Sequence, residues 1–407
     1  MQELCTEIID CPHTTPEWKT EGIPVIRNYN LQNGFIDKSK LSFVDNDTYL
    51  QRIKRGMPQV DDIIFSREAP VGSVAIMPSN FRCCLGQRLV LLKVNKSICD
   101  PHYLLYVMLS NFVKKQYKTV EKTGSIVSNF NIGDLKNLVI PYVDIAIQKK
   151  IGKMCGMLDR KIAVNNLTIE NLESMAKTLY DYWFVQFDFP DANGRPYKTS
   201  GGKMKWNETL SREIPAGWEV KKLGDICETR LGGTPDTNNG DYWGGDIPWL
   251  NSGEVAISPI LSSEKKITDL GRDNSATSTA EPWDVLMSIT RYIRPSILGI
   301  SACYNQSVVA VLQNERYKTS FIYPFLLSQV ERYMGLRIGA QQPHINKKIV
   351  DSTLVINPSK SILDKYYVKV DKVYRQIINI AKENKKLIEL RDFLLPMLMN
   401  GQVTFRQ

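Results

Sequence analysis

At 407 residues, with 43% hydrophobic and 23% charged side chains, the chain is long enough for two or three domains and too rich in apolar residues to be largely disordered. No apolar run approaches the roughly 18 residues that cross a bilayer, and Met1 is followed by polar residues instead of a signal-peptide core, so a cytoplasmic protein with no membrane partner is expected. The 52 Lys and Arg against 43 Asp and Glu leave a net charge of +9, which favours a polyanion, nucleic acid first; the eight scattered cysteines form no Cys-x-x-Cys pair and suggest neither a zinc site nor a disulfide framework.

From the N-terminus, a segment opens on Gly22-Ile23-Pro24-Val25-Ile26-Arg27-Asn28 and continues through an Asp-led apolar strand, Asp62-Ile63-Ile64-Phe65-Ser66. A Gln-centred strand follows at Gln87-Arg88-Leu89-Val90-Leu91-Leu92, then a helix over 101–118 and a closing strand, Leu138-Val139-Ile140-Pro141. Next, Ile151, Met154, Leu158, Ile162, Asn165, Ile169, Leu172, Ala176, Leu179 and Trp183 fall at steps of three and four, the spacing of a coiled-coil seam. Gly, Pro and Asn density across 187–217 marks a loop or linker.

The same parts then return in the same order. Asp246-Ile247-Pro248-Trp249-Leu250-Asn251-Ser252 opens the second segment, followed by Asp284-Val285-Leu286-Met287-Ser288, Gln306-Ser307-Val308-Val309-Ala310-Val311-Leu312, a helix over 320–335 and Leu354-Val355-Ile356-Asn357-Pro358. A second seam follows at Tyr366, Val370, Val373, Ile377, Ile380, Asn384, Leu387 and Leu394, interrupted by Arg391. Repeated globule and repeated helix define a tandem duplication, α+β twice.

Helices over 147–184 and 363–395 would measure roughly 57 Å and roughly 50 Å at about 1.5 Å per residue, the latter about 15 base pairs of duplex. Two related globules on a rigid spacer suit a partner with two separated patches, such as DNA. If the helices pair antiparallel, Asn165 and Asn384 face one another in the seam and fix its register; otherwise they sit at its solvated edge.

No catalytic constellation emerges. There is no P-loop, and Leu231-Gly232-Gly233-Thr234-Pro235 is glycine-rich but does not open a helix. His13, His102 and His344 are too far apart in sequence to propose a metal site, and Cys11-Pro12-His13 is better read as a loop or strand edge than as a nucleophile. Pro235-Asp236 with Glu264-Lys265-Lys266 meets a loose nuclease pattern, but the first half lies in a flexible-looking loop and has no match in the other repeat. No catalytic residue, metal or cofactor is expected.

The order Gly217-Trp218-Glu219-Val220-Lys221-Lys222-Leu223-Gly224-Asp225-Ile226, Gly232-Gly233-Thr234-Pro235, then Ile247-Pro248-Trp249-Leu250-Asn251-Ser252-Gly253-Glu254 resembles the start of a target recognition domain in type I restriction-modification specificity subunits. The centre, Trp183-Phe184-Val185, Phe187-Asp188-Phe189-Pro190, Asn193-Gly194-Arg195-Pro196-Tyr197-Lys198 and Ser200-Gly201-Gly202-Lys203-Met204, looks like that family's central region and linker. The resemblance spans essentially the whole chain, although the first copy lacks the opening that Trp218 and Leu223-Gly224 give the second. It implies two repeated target recognition domains joined by a long antiparallel two-helix coiled-coil spacer: recognition domain 1–142, spacer helix 143–186, linker 187–217, recognition domain 218–358 and spacer helix 359–407. It further implies that each domain reads half of a split, asymmetric double-stranded DNA site. The helices would set the gap and dock two methyltransferase subunits, and motor-nuclease subunits would join for cleavage.

Base edges are read by side chains with defined donors and acceptors. The candidates are Arg27, Asn28, Asn30, Arg67, Gln87, Arg88, Lys122 and Ser125 in the first copy, and Asn251, Ser252, Glu254, Arg291, Arg294, Gln306, Gln341 and Gln342 in the second. Any of them could instead be a solvated or turn-stabilising group, and Gln87 and Gln306 could be amides buried in strands. The rival functions are the recognition subunit of another restriction system, of type IIB character, and a coiled-coil scaffold that binds no DNA.

Overall fold

The computed structural model describes residues 1–68, 70–121, 130–339 and 341–404. The chain divides into two compact units, Met1–Val164 with Lys385–Gln407, and Asn165–Asn384. Each unit thus holds one globule and a stretch of both long helices.

In the first unit, beside a two-residue hairpin of Leu31–Gln32 with Phe35–Ile36, the strands are β1 (Cys5–Asp10), β2 (Ile23–Ile26), β3 (Ser42–Val44), β4 (Ile63–Ser66), β5 (Val74–Ile76), β6 (Cys84–Leu85) and β7 (Leu89–Val94). They form an antiparallel sheet ordered β1-β7-β4-β5 and a smaller sheet β3-β2-β6, in which β2 runs antiparallel to β3 and parallel to β6. All of β4 is buried. Ile63 and Phe65 pack with Tyr103, Leu104 and Val107 of α1 (Pro101–Leu109), while Ile64 joins Leu89, Leu91 and Met77 on the opposite face. A strand covered on both faces has no polar side to show, which is why it reads as an unbroken apolar run.

The predicted helix over 101–118 is two helices, α1 and α2 (Asn111–Glu121), separated by an extended Ser110 whose N–H and hydroxyl both turn back to the Val107 carbonyl. The predicted closing strand at Leu138-Val139-Ile140-Pro141 is absent. Instead of a neighbouring strand, the Gln116 carboxamide bonds the Val139 backbone at both ends, accepting its N–H at 3.0 Å and donating to its carbonyl at 2.9 Å.

The long helix α3 (Ile145–Tyr180) begins in this unit, its first turns packing Ile151, Met154 and Cys155 against Leu395, Leu398 and Met399 near the chain's C-terminal end. Arg391 Nη1 donates to Asp159 Oδ1 at 2.7 Å, and the Tyr106 hydroxyl donates to the other carboxylate oxygen at 2.7 Å.

In the second unit the strands are β8 (Met204–Asn207), β9 (Arg212–Pro215), β10 (Glu219–Lys222), β11 (Thr229–Leu231), β12 (Trp243–Leu250), β13 (Lys265–Ile267), β14 (Ser278–Ala280), β15 (Val285–Ser288), β16 (Arg294–Ile297), β17 (Ala302–Tyr304) and β18 (Val308–Val311), followed by α4 (Thr319–Gly335), β19 (Leu354–Asn357) and α5 (Lys360–Met399). The sheet β11-β18-β15-β16 repeats the strand order of the first unit, and the parallel pair Trp249–Cys303 and Leu250–Tyr304 repeats Val25–Cys84 and Ile26–Leu85. The alternation repeats too: Val285 and Met287 pack with Phe321, Ile322 and Tyr333, and Leu286 packs with Leu250 and Tyr304 on the other face. Here the closing strand exists, because β10 pairs with β19 along its whole length.

Residues 187–217 are not a loose linker. Phe187 and Phe189 are buried, with Phe189 stacked on Tyr197 at 4.6 Å and on Trp218 at 4.9 Å, and β8 and β9 form a hairpin. The Asn193-Gly194-Arg195 turn is pinned by Asp191, whose Oδ1 accepts the N–H groups of Asn193 and Arg195. Pro, Gly and Asn mark turns as readily as linkers, and the aromatics between them supply the packing.

Within this unit the helices run antiparallel, with Asn165 beside Asn384 and Trp183 beside Tyr366, 5.6 Å between ring centroids. The helix after Tyr180 widens to a π-turn, Asp181–Val185, that points Trp183 and Phe184 into the core. Among the described residues no helix is long and apolar enough to cross a membrane.

Candidate nucleic-acid interface

In the first unit three separate segments meet at a cavity of about 180 Å³: Thr15, Pro16 and Trp18 from the loop after β1, Arg27 and Asn28 after β2, and Gln87 and Arg88 before β7. The first segment is held from behind by buried Arg52, which donates to the carbonyls of Leu85 at 2.9 Å, Thr14 at 3.0 Å and Pro12 at 3.3 Å. The third is tied to the first by Gln87 Nε2, which donates to the His13 carbonyl and, at 3.1 Å, to Thr15 Oγ1. A second cavity of about 540 Å³ shares Asn28 and has Tyr29 and Lys114 on its wall.

The second unit builds the same clasp. Thr234-Pro235 stands where Thr15-Pro16 stands, and the Thr234 hydroxyl bonds Gln306 Oε1 at 2.5 Å. Neither Gln87 nor Gln306 is an amide buried in a strand; each lies in the turn just before one, half-buried and exposed respectively. The glycines ahead of Thr234 have a packing reason: a Cβ on Gly232 would stand 2.3 Å from the Tyr304 carbonyl oxygen, and one on Gly233 2.4 Å from the Ala276 backbone.

Four candidates prove to be struts of the fold. Asn30 is fully buried: its Oδ1 accepts the Arg27 N–H and its Nδ2 donates to the carbonyls of Asp37 and Lys40, so no amide group is left for a base. Arg67 grips Asp10 with Nη1 at 3.0 and 3.1 Å and donates from Nε to the Phe130 carbonyl. Asn251 Oδ1 accepts the N–H groups of Gly253 and Glu254, and Glu254 spends both oxygens on the N–H groups of Asn251 and Glu264. Asn30 and Glu254 hold the same loop in the two copies, one chiefly as donor and the other as acceptor.

The remaining candidates lie towards solvent. Arg88, in a left-handed conformation at φ +68°, is exposed and paired with Glu68 at 3.1 Å. Arg291, Arg294, Gln341 and Gln342 are exposed, Ser252 is half-buried, and the Arg291 N–H donates to the Pro343 carbonyl, which brings the Arg291 turn beside the Gln341-Gln342 loop. Lys122 and Ser125 lie outside the described residues.

Sequence reasoning missed Thr15, Pro16 and Trp18, although the recurrence of Thr-Pro at 15–16 and 234–235 was a visible signal. Cys11 is a structural thiol: its Sγ accepts the Leu89 N–H at 3.1 Å, and burial pushes its pKa up. Among the described residues no group of three His, Cys, Asp or Glu side chains is placed to hold a metal ion.

A duplicated α+β frame that offers arginine, amide and aromatic groups around open loops belongs to the class of two-headed DNA-recognition proteins. The profile of the type I restriction modification DNA specificity domain matches residues 7–174 and again 215–390, and the chain is a member of that family. It is 25% identical to the type I restriction enzyme MjaIX specificity subunit of Methanocaldococcus jannaschii, over 84% of this chain and 77% of that one. It is 22% identical to the type I restriction enzyme HindI specificity subunit of Haemophilus influenzae, over 86% of this chain and 87% of that one. The crystal structure of the type I restriction-modification system S subunit from M. genitalium shares the fold, at a TM-score of 0.55 and 16% identity over 98% of this chain and 94% of that one.

Proposed function

We propose that this chain is the non-catalytic DNA sequence-specificity subunit of a cytoplasmic type I restriction-modification enzyme, each unit reading one half of a bipartite, asymmetric double-stranded site. The helices set the gap between the halves and dock two methyltransferase subunits, and motor-nuclease subunits join for cleavage. The observation that carries this reading is the Thr-Pro and Gln clasp, built twice beside unlike side chains: Arg27, Asn28 and Arg88 in one unit, and Ser252 at the sequence position of Asn28 in the other. One frame carrying two sets of readers suits two half-sites of different sequence. Beside those in the first cavity, Ser252, Arg291, Arg294, Gln306, Gln341 and Gln342 are the groups assigned to DNA in the second unit. The test is to map methylated bases in DNA modified by the complex of this chain with its methyltransferase subunits. A split motif with two unlike halves is expected; a contiguous motif, or no modification, refutes the reading.

A further inference from the structure

The first unit's cavity holds two arginines in opposite circumstances. Arg88 is neutralised by Glu68. Arg27 has no carboxylate partner among the described residues; its guanidinium carbon stands 5.1 Å from the centroid of Trp18 and 4.9 Å from that of Tyr29. Both rings are themselves exposed, at 39% and 41%. Cation–π contact engages the face of a guanidinium, while its N–H donors project from the edge in the plane of the group. Two rings therefore hold the guanidinium in place, and among the described residues no hydrogen bond takes up its donor fork.

An unspent planar fork matches one base edge in the major groove, that of guanine, where O6 and N7 are adjacent acceptors; adenine puts a donor beside its N7. The second unit does not repeat the device, since Asn251 occupies the equivalent place and its side-chain oxygen already caps Gly253 and Glu254. We propose, resting on the split-site reading above, that Arg27 is a specificity-determining residue that takes a guanine in the half-site of the first unit, with Trp18 and Tyr29 as positioning residues.

The experiment uses the full chain assembled with its methyltransferase subunits and compares the methylated motif of the wild type with those of Arg27→Ala, Arg27→Lys and Trp18→Ala, each checked for an unchanged melting temperature. The wild-type motif should require a G·C pair at a position in one half. Arg27→Ala and Arg27→Lys should both relax that position, cutting the preference for guanine by about tenfold or more, with the other half and the gap unchanged. Trp18→Ala should relax the same position and no other, which loss of folded protein would not do. A contact to phosphate predicts something different: Arg27→Ala lowers methylation equally at every sequence and Arg27→Lys behaves as wild type. That result, or a wild-type motif that keeps its guanine when Arg27 is replaced, overturns the assignment while leaving the split-site reading standing. A wild-type complex that methylates no split motif sinks that reading, and this assignment with it.

Discussion

Arg52 is a buried cation whose three carbonyl acceptors, Leu85, Thr14 and Pro12, lie just ahead of the Gln87 turn and of Thr15, so it holds those two segments together from inside the fold. Arg52→Met leaves those carbonyls without charged donors and should cost about 2–4 kcal/mol in urea unfolding, with weaker DNA binding by the folded remainder. Asp62, just before β4, and its counterpart Asp284, just before β15, have a comparable local task. Asp62 accepts the Gln59 N–H, and Asp284 those of Glu281 and Gln313, so each locks the turn before its strand. Burial raises the Asp284 carboxyl above its ordinary value of 3.8 in spite of those bonds. The folded chain therefore binds more protons than the unfolded one between 3.8 and the raised value. The stability that Asp284 contributes is full below 3.8 and declines as pH climbs through the folded pKa. The stability of the wild type relative to Asp284→Asn should accordingly fall from acid towards neutral pH in a series of urea titrations; a flat difference would contradict it. That these residues are polar was plain from the sequence. Which of them serve the backbone and which face solvent was not, because a hydrogen bond to a carbonyl far away in the chain leaves no local pattern.

At the scale of elements, the helix seam carries its polar exceptions in a defined arrangement. Asn165 and Asn384 are buried, and Asn165 Nδ2 donates to Asn384 Oδ1 at 2.7 Å and to Glu383 at 2.9 Å, while Asn384 Nδ2 donates to Asn166 at 2.8 Å. Asn165→Ala should cost about 1–2 kcal/mol by leaving buried amide groups short of partners. The double replacement Asn165→Leu/Asn384→Leu should instead raise the melting temperature, at the expense of a single register. A double-mutant cycle with no coupling would remove the pair from any such role. Gly232→Ala tests a backbone approach: with 2.3 Å available to the Tyr304 oxygen, the loop bearing Thr234 must shift, and a lower melting temperature is expected. The periodicity of both long helices was legible because one face of each is apolar every third or fourth residue. The closing strand of the first copy was misread because Leu138-Val139-Ile140 has strand composition but lacks the neighbour that β10 supplies to β19. A strand is a relation between two segments, and composition describes only one of them.

For the whole molecule, a net charge of +9 and exposed arginines around loops predict binding dominated by phosphate neutralisation. The affinity of the complex for DNA, measured by fluorescence anisotropy, should fall linearly in log salt, with a slope of about −5 or steeper if six or more phosphates are engaged. A nearly flat response would point to the scaffold reading instead. The sequence by itself determined the duplication, the apolar strands, the helix seams and the family, because repeats and periodic burial are written in the order of residue types. Only the tertiary structure decided that 187–217 is a packed segment, that Asn30, Arg67, Asn251 and Glu254 are struts, and that Trp18 joins Arg27 beside Gln87. Each of those outcomes depends on which distant groups are close in space. The hydrogen-bonding and stacking capacity of a side chain is fixed by its chemistry, but whether the fold itself uses that capacity is settled by contacts that close only when the chain does.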